Sequence, residues 1–381
     1  MKKMFLILVP FLLLFSACGG NTGGSDMEIP NDYIAESESL CFDAGDGWSR
    51  FYNYAPSVLR NGDYAHMFYC SNLEDNVVGD AIVHREGRRK DGVWYWSPLD
   101  VALEHGASGE WDSANVCDPD VIKGEFGYKG HTYSYLMTYL GCKTMDNTSN
   151  MFGFAVADSL SGPWIKTVEC NPLYDFYEEN PGYVYHEGEN QFLWGWGQSG
   201  MISIDKKGKV LLNFTGRSAT GQTVEIYDFS DMEHPQRIST NTVSNRNIYD
   251  LNGGQDTICN SQMVYDPKLQ VFYAMSDVHP FDEFQWPTNL PLETRVTMIN
   301  DFGSAQIGDC FANEDALWVN IASLDEETLS YPRIHNTCFE RDEYGWMIEE
   351  DKIDIFYTMA PLGEDWKVLY TYRIHRYTLE F

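Results

Sequence analysis

One local pattern occurs five times along this chain of 381 residues. Each copy places a polar or aromatic residue, and in three copies a proline, just before an apolar run with the composition of a β-strand. The copies are Tyr54–Val58, Cys117–Val121, Glu179–Tyr183, Cys259–Met263 and His335–Phe339. Their spacing of roughly 60 to 80 residues suits one four-stranded blade with its loops, so it predicts strands repeated radially around an axis.

Short strand-like segments follow one another through the rest of the sequence. Most are rich in β-branched and aromatic residues and end at Gly, Asn, Asp or Pro, whereas long apolar patterns of helical period are scarce. We therefore predict an all-β protein, with one five-bladed β-propeller domain from residue 33 to residue 381. A two-sheet sandwich is the alternative, but it gives no reason for a fivefold repeat.

The N-terminus is typical of an exported protein. Two lysines precede an apolar run that ends in SAC, and this ending resembles the lipobox at which bacterial lipoproteins are cleaved and lipidated. Residues 1–18 are thus predicted to be a signal peptide with lipidation on Cys18, and residues 19–32 a flexible tether. We expect a protein anchored by lipid to the bacterial cell envelope. Cleavage at another small residue is the alternative.

The net charge argues against several kinds of partner. The chain has 57 acidic and 26 basic side chains, with a formal net charge of -31. Such a field repels phosphate backbones and anionic lipids, so we expect no nucleic-acid binding and membrane contact only through the lipid anchor. We also expect a monomer. The nine cysteines show no zinc-binding spacing, and both disulfides and free buried thiols are open to them.

Several phrases of the sequence, in their order, resemble the landmarks of the family 43 β-propeller glycoside hydrolases and their relatives. They are the openings CDPDVIKG with Asp118, ENPGYVY with Glu179 and HNTCFERDEYG with His335, and the blade-closing DSLSGPW at residues 158–164. The resemblance implies hydrolysis of an oligosaccharide or polysaccharide by an inverting general acid and base mechanism in the propeller funnel. A carbohydrate is therefore the expected substrate.

The resemblance also assigns roles. Glu179 matches the general acid of the family, and Asp118 matches the aspartate that tunes the acid. His335 matches a central histidine beneath the substrate, near a calcium ion or a water, and no cofactor is otherwise required. Each residue also has a purely structural alternative, such as a solvated loop carboxylate for Glu179 or a packed core position for His335.

The first opening has alanine where the second has aspartate. The general base of the family would fall at Ala55, which cannot activate water. We therefore place the base outside the repeat, in the segment before the first blade, and favour Asp46 over Asp43 because glycines flank Asp46 on both sides. Without such a base, the alternative is a glycan-binding lipoprotein of the same fold that has lost catalysis. A propeller used as a protein scaffold is a third hypothesis.

Aromatic and polar residues near the openings are candidates for binding sugar. Pyranose faces pack on aromatic rings, while sugar hydroxyl groups bond to polar side chains. We place Trp196 and Trp286 at the rim, and Tyr54, Asn180 and His335 against the substrate. Partial burial of Glu179 beside Trp196 and its neighbours should raise the pKa of that carboxyl toward the value that an acid needs.

Overall fold

The structure is a computed structural model that describes residues 27–36, 52–73, 79–144, 149–182, 195–216, 221–279, 292–329, 334–359 and 372–381. Nearly all of the regular structure in these residues is β-strand, which confirms the all-β prediction. Within this described part of the chain, no helix is long and apolar enough to cross a membrane.

The strands are numbered in chain order. Strands β1 to β6 are Ile34–Ala35, Asn53–Asn61, Tyr64–Asn72, Asp80–Lys90, Val93–Trp96 and Asp100–Leu103. Strands β7 to β10 are Asn115–Tyr128, His131–Cys142, Met151–Ala157 and Ile165–Lys166, and β11 to β14 are Ser199–Ser203, Lys209–Thr215, Gln222–Asp228 and Gln236–Thr242. Strands β15 to β18 are Gln262–Asp266, Val271–Asp277, Thr294–Asn300 and Val319–Leu324, and β19 to β21 are Ile334–Arg341, Lys352–Met359 and Arg373–Glu380. The short helices are α1 (Phe176–Glu179), α2 (Glu326–Leu329) and 3-10 turns at Val168–Cys170 and Asp309–Ala312.

Consecutive strands pair with each other in antiparallel sheets. Strands β7 to β10, β11 to β14 and β15 to β18 each form a four-stranded sheet. Strands β1 to β6 and β19 to β21 share one larger sheet, because β19 pairs in parallel with β2 through Glu340 opposite Val58 and Arg341 opposite Leu59. The last strands of the chain thus join the first, which closes the arrangement.

Two of the hairpins show how local sequence sets the strand connections. Asp91 and Gly92, between β4 and β5, have φ of 52° and 82°. Lys129 and Gly130, between β7 and β8, have φ of 50° and 77°. Two successive residues with positive φ form a type I′ turn, whose twist matches that of an antiparallel pair. These dipeptides therefore end one strand and begin the next within two residues.

The first strands β2, β7, β11, β15 and β19 contact one another in this cyclic order. An ion pair between Asp120 on β7 and Arg341 on β19 lies among them, with the side chains 1% and 0% exposed. Asp120 also accepts hydrogen bonds from Ser57 Oγ on β2 at 2.9 Å, from Gln262 Nε2 on β15 at 2.9 Å and from the N–H of Met201 on β11 at 2.6 Å. One buried carboxylate therefore links all five first strands.

Apolar clusters fill the spaces between neighbouring sheets. Between the sheets of β7 to β10 and β11 to β14, the rings of Phe152 and Phe214 lie 4.9 Å apart. Trp164, at the end of the DSLSGPW phrase, lies edge-on to Phe68 of β3 at 5.6 Å. Trp94 and Trp96 are fully buried beside β2, β20 and β21. Trp164 of the DSLSGPW segment thus packs the sheet of β7 to β10 against the nine-stranded sheet.

Glu179, the first residue of the predicted opening Glu179–Tyr183, ends a helix instead of opening a strand, and Tyr183 lies outside the described residues. Phe176–Glu179 form helix α1, whose N-cap Asp175 accepts hydrogen bonds from two backbone N–H groups of the first turn. The first strand of the third sheet begins later, at Ser199. This segment contains an acidic residue and a proline, as the second opening does, whereas SGMIS of β11 contains neither. The sequence pattern therefore selected the wrong segment.

The buried ion pair yields a stability prediction. Asp120→Asn leaves the Arg341 charge buried without a counter-ion, so the free energy of unfolding should fall by about 3–5 kcal/mol. Urea denaturation followed by tryptophan fluorescence measures this change. The matched control is Arg246→Gln, which removes the exposed pair with Asp315 and should change stability by less than about 1 kcal/mol. Equal urea midpoints for Asp120→Asn and wild type would contradict a central role for the pair.

Candidate functional site

Four first strands share one backbone irregularity at or near their starts. Ala55, Asp118, Asn260 and Asn336 have φ of 50°, 48°, 45° and 43°. In β2, β7 and β19 the pairing with the next strand shifts register at this place, as in a β-bulge. Positive φ is unfavourable for most residues other than Gly, Asn and Asp, and bulges often re-aim side chains at functional sites. These four residues are called the bulge ring below.

The third sheet contributes Gln198 at the corresponding position. Phe339 donates its N–H to Gln262 Oε1 of the preceding first strand at 2.7 Å, and Met201 donates to Asp120 in the same way. Phe339 follows the bulge residue Asn336 by three positions, and the residue three positions before Met201 is Gln198. In the third sheet, Gln198 and not Glu179 is therefore the counterpart of Asp118. The acidic residue expected there is replaced by an amide.

Asp118 is the carboxylate of the bulge ring. Its side chain is half-buried, and Asn336 Nδ2 lies 3.3 Å from its Oδ1. Its backbone N–H lies 3.0 Å from Cys70 Sγ. The contact with Asn336 joins β7 to β19 across the position of Ala55 on the intervening β2. Contacts from β3 and from β19, both in the nine-stranded sheet, thus fix the position of Asp118.

Ala55 has a structural reason to be small. Cys70 and Cys117 form a disulfide with Cα atoms 5.3 Å apart, and Ala55 packs against it with 1% of its surface exposed. The two cysteines are therefore cross-linked, which the sequence left open. A carboxylate at position 55 would be buried beside Asp118 without a basic partner in the described cluster, and such burial is unfavourable. The carboxylate that the resemblance implies at this position would therefore destabilise the packing around the disulfide.

A second acidic group, Asp80, lies beside the ring. Tyr54 Oη donates to Asp80 Oδ2 at 2.6 Å, and Tyr52 Oη donates to Asp80 Oδ1 at 2.5 Å. Burial, then the charges of Asp80 and Asp118, raise the pKa of Tyr54 well above its ordinary value. Tyr54 is therefore a neutral hydrogen-bond donor fixed next to Asp118. Its predicted contact with substrate is compatible with this half-buried position.

A histidine and aspartate pair lies beside Asn260. His279 Nδ1 lies 2.9 Å from Asp256 Oδ1, and the backbone N–H of His279 donates to Asp256 Oδ2 at 3.1 Å. His279 Nε2 lies 3.6 Å from Cys259 Sγ. The hydrogen bond to Asp256 is the largest cause of a raised pKa at His279. Cys259 is buried, which raises the pKa of its thiol well above the ordinary value and makes it a poor nucleophile.

Three predicted site residues have surroundings that differ from those expected. Glu179 is exposed at the end of α1, so the expected partial burial of this carboxyl is wrong. Asn180 uses its side-chain amide to donate to Phe176 O at 2.8 Å, which caps the same helix. Trp196 is 5% exposed and stacks on Tyr174 at 5.7 Å, so it belongs to the core and not to the rim.

Other predicted residues lie outside the described part of the chain. They are Cys18, Asp43, Asp46, Trp286 and the side chain of His335. Their assigned roles stay predictions.

Among the described residues, one cluster of potential metal ligands was found, Cys70 with Cys117 and Asp118. Its two sulfur atoms belong to the disulfide and are not thiolate ligands. The cluster therefore offers one carboxylate, which is too little to hold a metal ion. The calcium ion predicted near His335 stays a prediction, because that side chain is outside the described residues.

The fold is shared with solved glycoside hydrolases, although sequence identity is low. A family 117 glycoside hydrolase from the marine bacterium Zobellia galactanivorans has a TM-score of 0.54 and 12% identity, with 91% of each chain covered. A family 62 hydrolase in complex with xylotriose has a TM-score of 0.53 and 10% identity, with 91% of this chain and 97% of that chain covered. The family 62 α-L-arabinofuranosidase of Coprinopsis cinerea has a TM-score of 0.52 and 10% identity over 92% and 98% of the two chains. No family model and no curated protein matches the sequence.

The His279 pair predicts a pH response. The pKa of His279 in the folded protein is raised above its ordinary value of 6.5. Protonation of His279 therefore stabilises the fold fully below pH 6.5. This stabilisation is lost as the pH rises through the higher pKa of the folded state. Asp256→Asn should lower the pKa of His279, as measured by NMR titration of the imidazole Cε1–H signal. The signal of His375, whose pKa burial lowers to about 4, should not move. An unchanged His279 titration would show that Asp256 does not control this imidazole.

Proposed function

We propose that this protein is a five-bladed β-propeller glycoside hydrolase of the family 43 type, with its active site at the bulge ring. The single observation that carries the proposal is Asp118, a half-buried carboxylate on a repeated bulge, oriented by Asn336 and by Cys70. The fold common to solved glycoside hydrolases supports it. The cyclic order of the first strands supports five blades in one domain from residue 33 onward.

Neutral sugars fit the site better than charged ones. Asp80 and Asp118 lie on one side of the ring, and the formal net charge of the chain is -31. Amide groups surround these carboxylates, since Asn260 and Asn336 are members of the ring and Gln198 takes the corresponding place before β11. Amides, which donate and accept hydrogen bonds, and carboxylates, which accept them, suit sugar hydroxyl groups. An α-L-arabinofuranoside or a β-D-xyloside end group is our proposed substrate.

The proton transfers need an acid and, for inversion, a base. Asp118 is assigned to tune the acid. Glu179 remains our candidate for the acid by resemblance, and His279 is added because its Nε2 lies beside Cys259, next to ring member Asn260. Asp46 remains the candidate base. Replacing Glu179 and His279 separately by glutamine identifies the acid, because loss of the acid is severe for poor leaving groups and mild for nitrophenol.

A glycan-binding protein without hydrolase activity is the second candidate function. The specific observation that favours it is Ala55, whose methyl group fills the position of the family base and packs against the disulfide. Such a protein would bind the same sugars at the bulge ring without cleaving them.

We further propose that the protein is a monomer held at the bacterial cell envelope by lipid on Cys18. Its basis is the SAC ending of the N-terminal apolar run. Labelling of expressing cells with an alkyne fatty acid, compared with a Cys18→Ala variant, tests the anchor.

The role of Asp118 gives a kinetic prediction. In the soluble region from Asp26 onward, Asp118→Asn should lower kcat by about 10²–10⁴-fold, the usual range for loss of acid and base assistance, and should leave the fold intact. Release of arabinose or xylose from arabinose- and xylose-containing oligosaccharides, whose sugar leaving groups need an acid, measures kcat, and circular dichroism checks the fold. Asp315→Asn is the matched control, because this carboxylate is 85% exposed and is paired with Arg246.

Two outcomes would contradict the proposal. Equal kcat for Asp118→Asn and wild type would remove Asp118 from the mechanism. Binding of sugars without hydrolysis of any tested glycoside or polysaccharide by the wild type would favour the glycan-binding function.

A further inference from the structure

A groove of about 570 Å³ lies at the end of β2 opposite to the bulge ring. Its walls are the end of β2, the start of β3 and the segment Asp158–Ser161 after β9. Ala55 and Asn61 are six residues apart on β2, a distance of about 20 Å at 3.3 Å per residue. A sugar residue bound at the ring cannot reach the groove. The groove is therefore a separate cavity.

The charged side chains of the groove already have partners within the protein. The pairs are Arg60 with Glu340, Arg88 with Glu86, Lys123 with Glu343 and His131 with Asp158, at 2.8–2.9 Å. A charged ligand would have to compete with these pairs, whereas a neutral ligand can use the remaining lone pairs and N–H groups as they stand. The groove thus favours an uncharged, polar ligand.

The groove also contains aromatic rings and a neutral imidazole. Tyr64 is 48% exposed, and Tyr135 Oη donates to Glu343 Oε1 at 2.9 Å. Burial lowers the pKa of His66, whose Nδ1 shares a hydrogen bond with His84 Nε2 at 2.8 Å. At neutral pH the His66 ring is therefore uncharged. The exposed Tyr64 ring, beside acceptors and donors that other bonds hold in place, is suited to a sugar face and its hydroxyl groups.

We propose that this groove binds neutral sugar residues and is a second carbohydrate site, about one strand length away from the bulge ring. It would hold a part of a polysaccharide that is not being processed at the ring. The choice of carbohydrate as the ligand rests in part on the proposed function. The location and the preference for an uncharged ligand rest on the groove alone.

Hydrogen–deuterium exchange on the full chain locates the binding. The probes are xylotriose, cellotriose and β-1,3-galactotriose, each added to wild type and to Asp118→Asn. At least one trisaccharide should slow exchange in the turn 61–64 and in the segment 158–161 of both proteins. If none of the three slows exchange in these segments, the proposal is wrong.

Isothermal titration calorimetry then tests the tyrosine. Tyr64→Ala should weaken binding of the protecting trisaccharide to the groove about tenfold, and Tyr64→Phe, which keeps the ring, should bind as wild type does. Tyr249→Ala is the matched control, because Tyr249 is 46% exposed and lies in the connection between β14 and β15. Unchanged affinity and unchanged protection in Tyr64→Ala would overturn the proposal.

The two proposals fail in different ways. Protection of the groove segments without hydrolysis of any substrate would contradict the proposed hydrolase function and support the groove proposal. Hydrolysis with protection at the bulge ring alone would contradict the groove proposal and support the proposed hydrolase function.

Discussion

The arrangement of the strands depends on the buried ion pair between Asp120 and Arg341. A charge removed from water is unfavourable unless a counter-ion and hydrogen bonds compensate it, and here the compensating groups come from every first strand. A shift of any one strand would leave part of this network unpaired, so the network selects one register for all of them. Asp118 lies only two residues before Asp120 on β7. The pair that organises the centre therefore also sets the position of the candidate catalytic carboxylate.

The bulge ring shows that a repeated backbone shape can persist where its side-chain chemistry has changed. Ala55 keeps the positive φ of the ring although alanine gains nothing from this conformation, while Asn and Asp tolerate it. Packing against the disulfide and the hydrogen bond from its N–H to Thr358 Oγ1 at 3.2 Å hold it there. Backbone geometry in the repeat is thus fixed by tertiary contacts, and the side chains at the ring are free to differ among the strands.

The sequence predicted the strand content and four of the five openings, because alternating aromatic and β-branched residues and their turns are local signals. The third opening was misplaced at Glu179 because an acid and a proline near an apolar run also suit a short capped helix, which is what Asp175 begins. Gln198 carries no local signal and emerges only from the hydrogen bond of Met201 to Asp120. The Asp256 and His279 pair spans 23 residues and Asp80 pairs with Tyr54 across 26, so both needed the folded chain.

The disulfide between Cys70 and Cys117 ties the candidate site to the redox state of its surroundings. It joins β3 to β7, supplies the surface on which Ala55 packs, and places a sulfur against the backbone N–H of Asp118. Such bonds form in oxidising compartments and are reduced by cytosolic thiols. The ring geometry described here therefore requires an oxidant that joins these two cysteines, and a reductant would release both the surface under Ala55 and the sulfur that contacts Asp118.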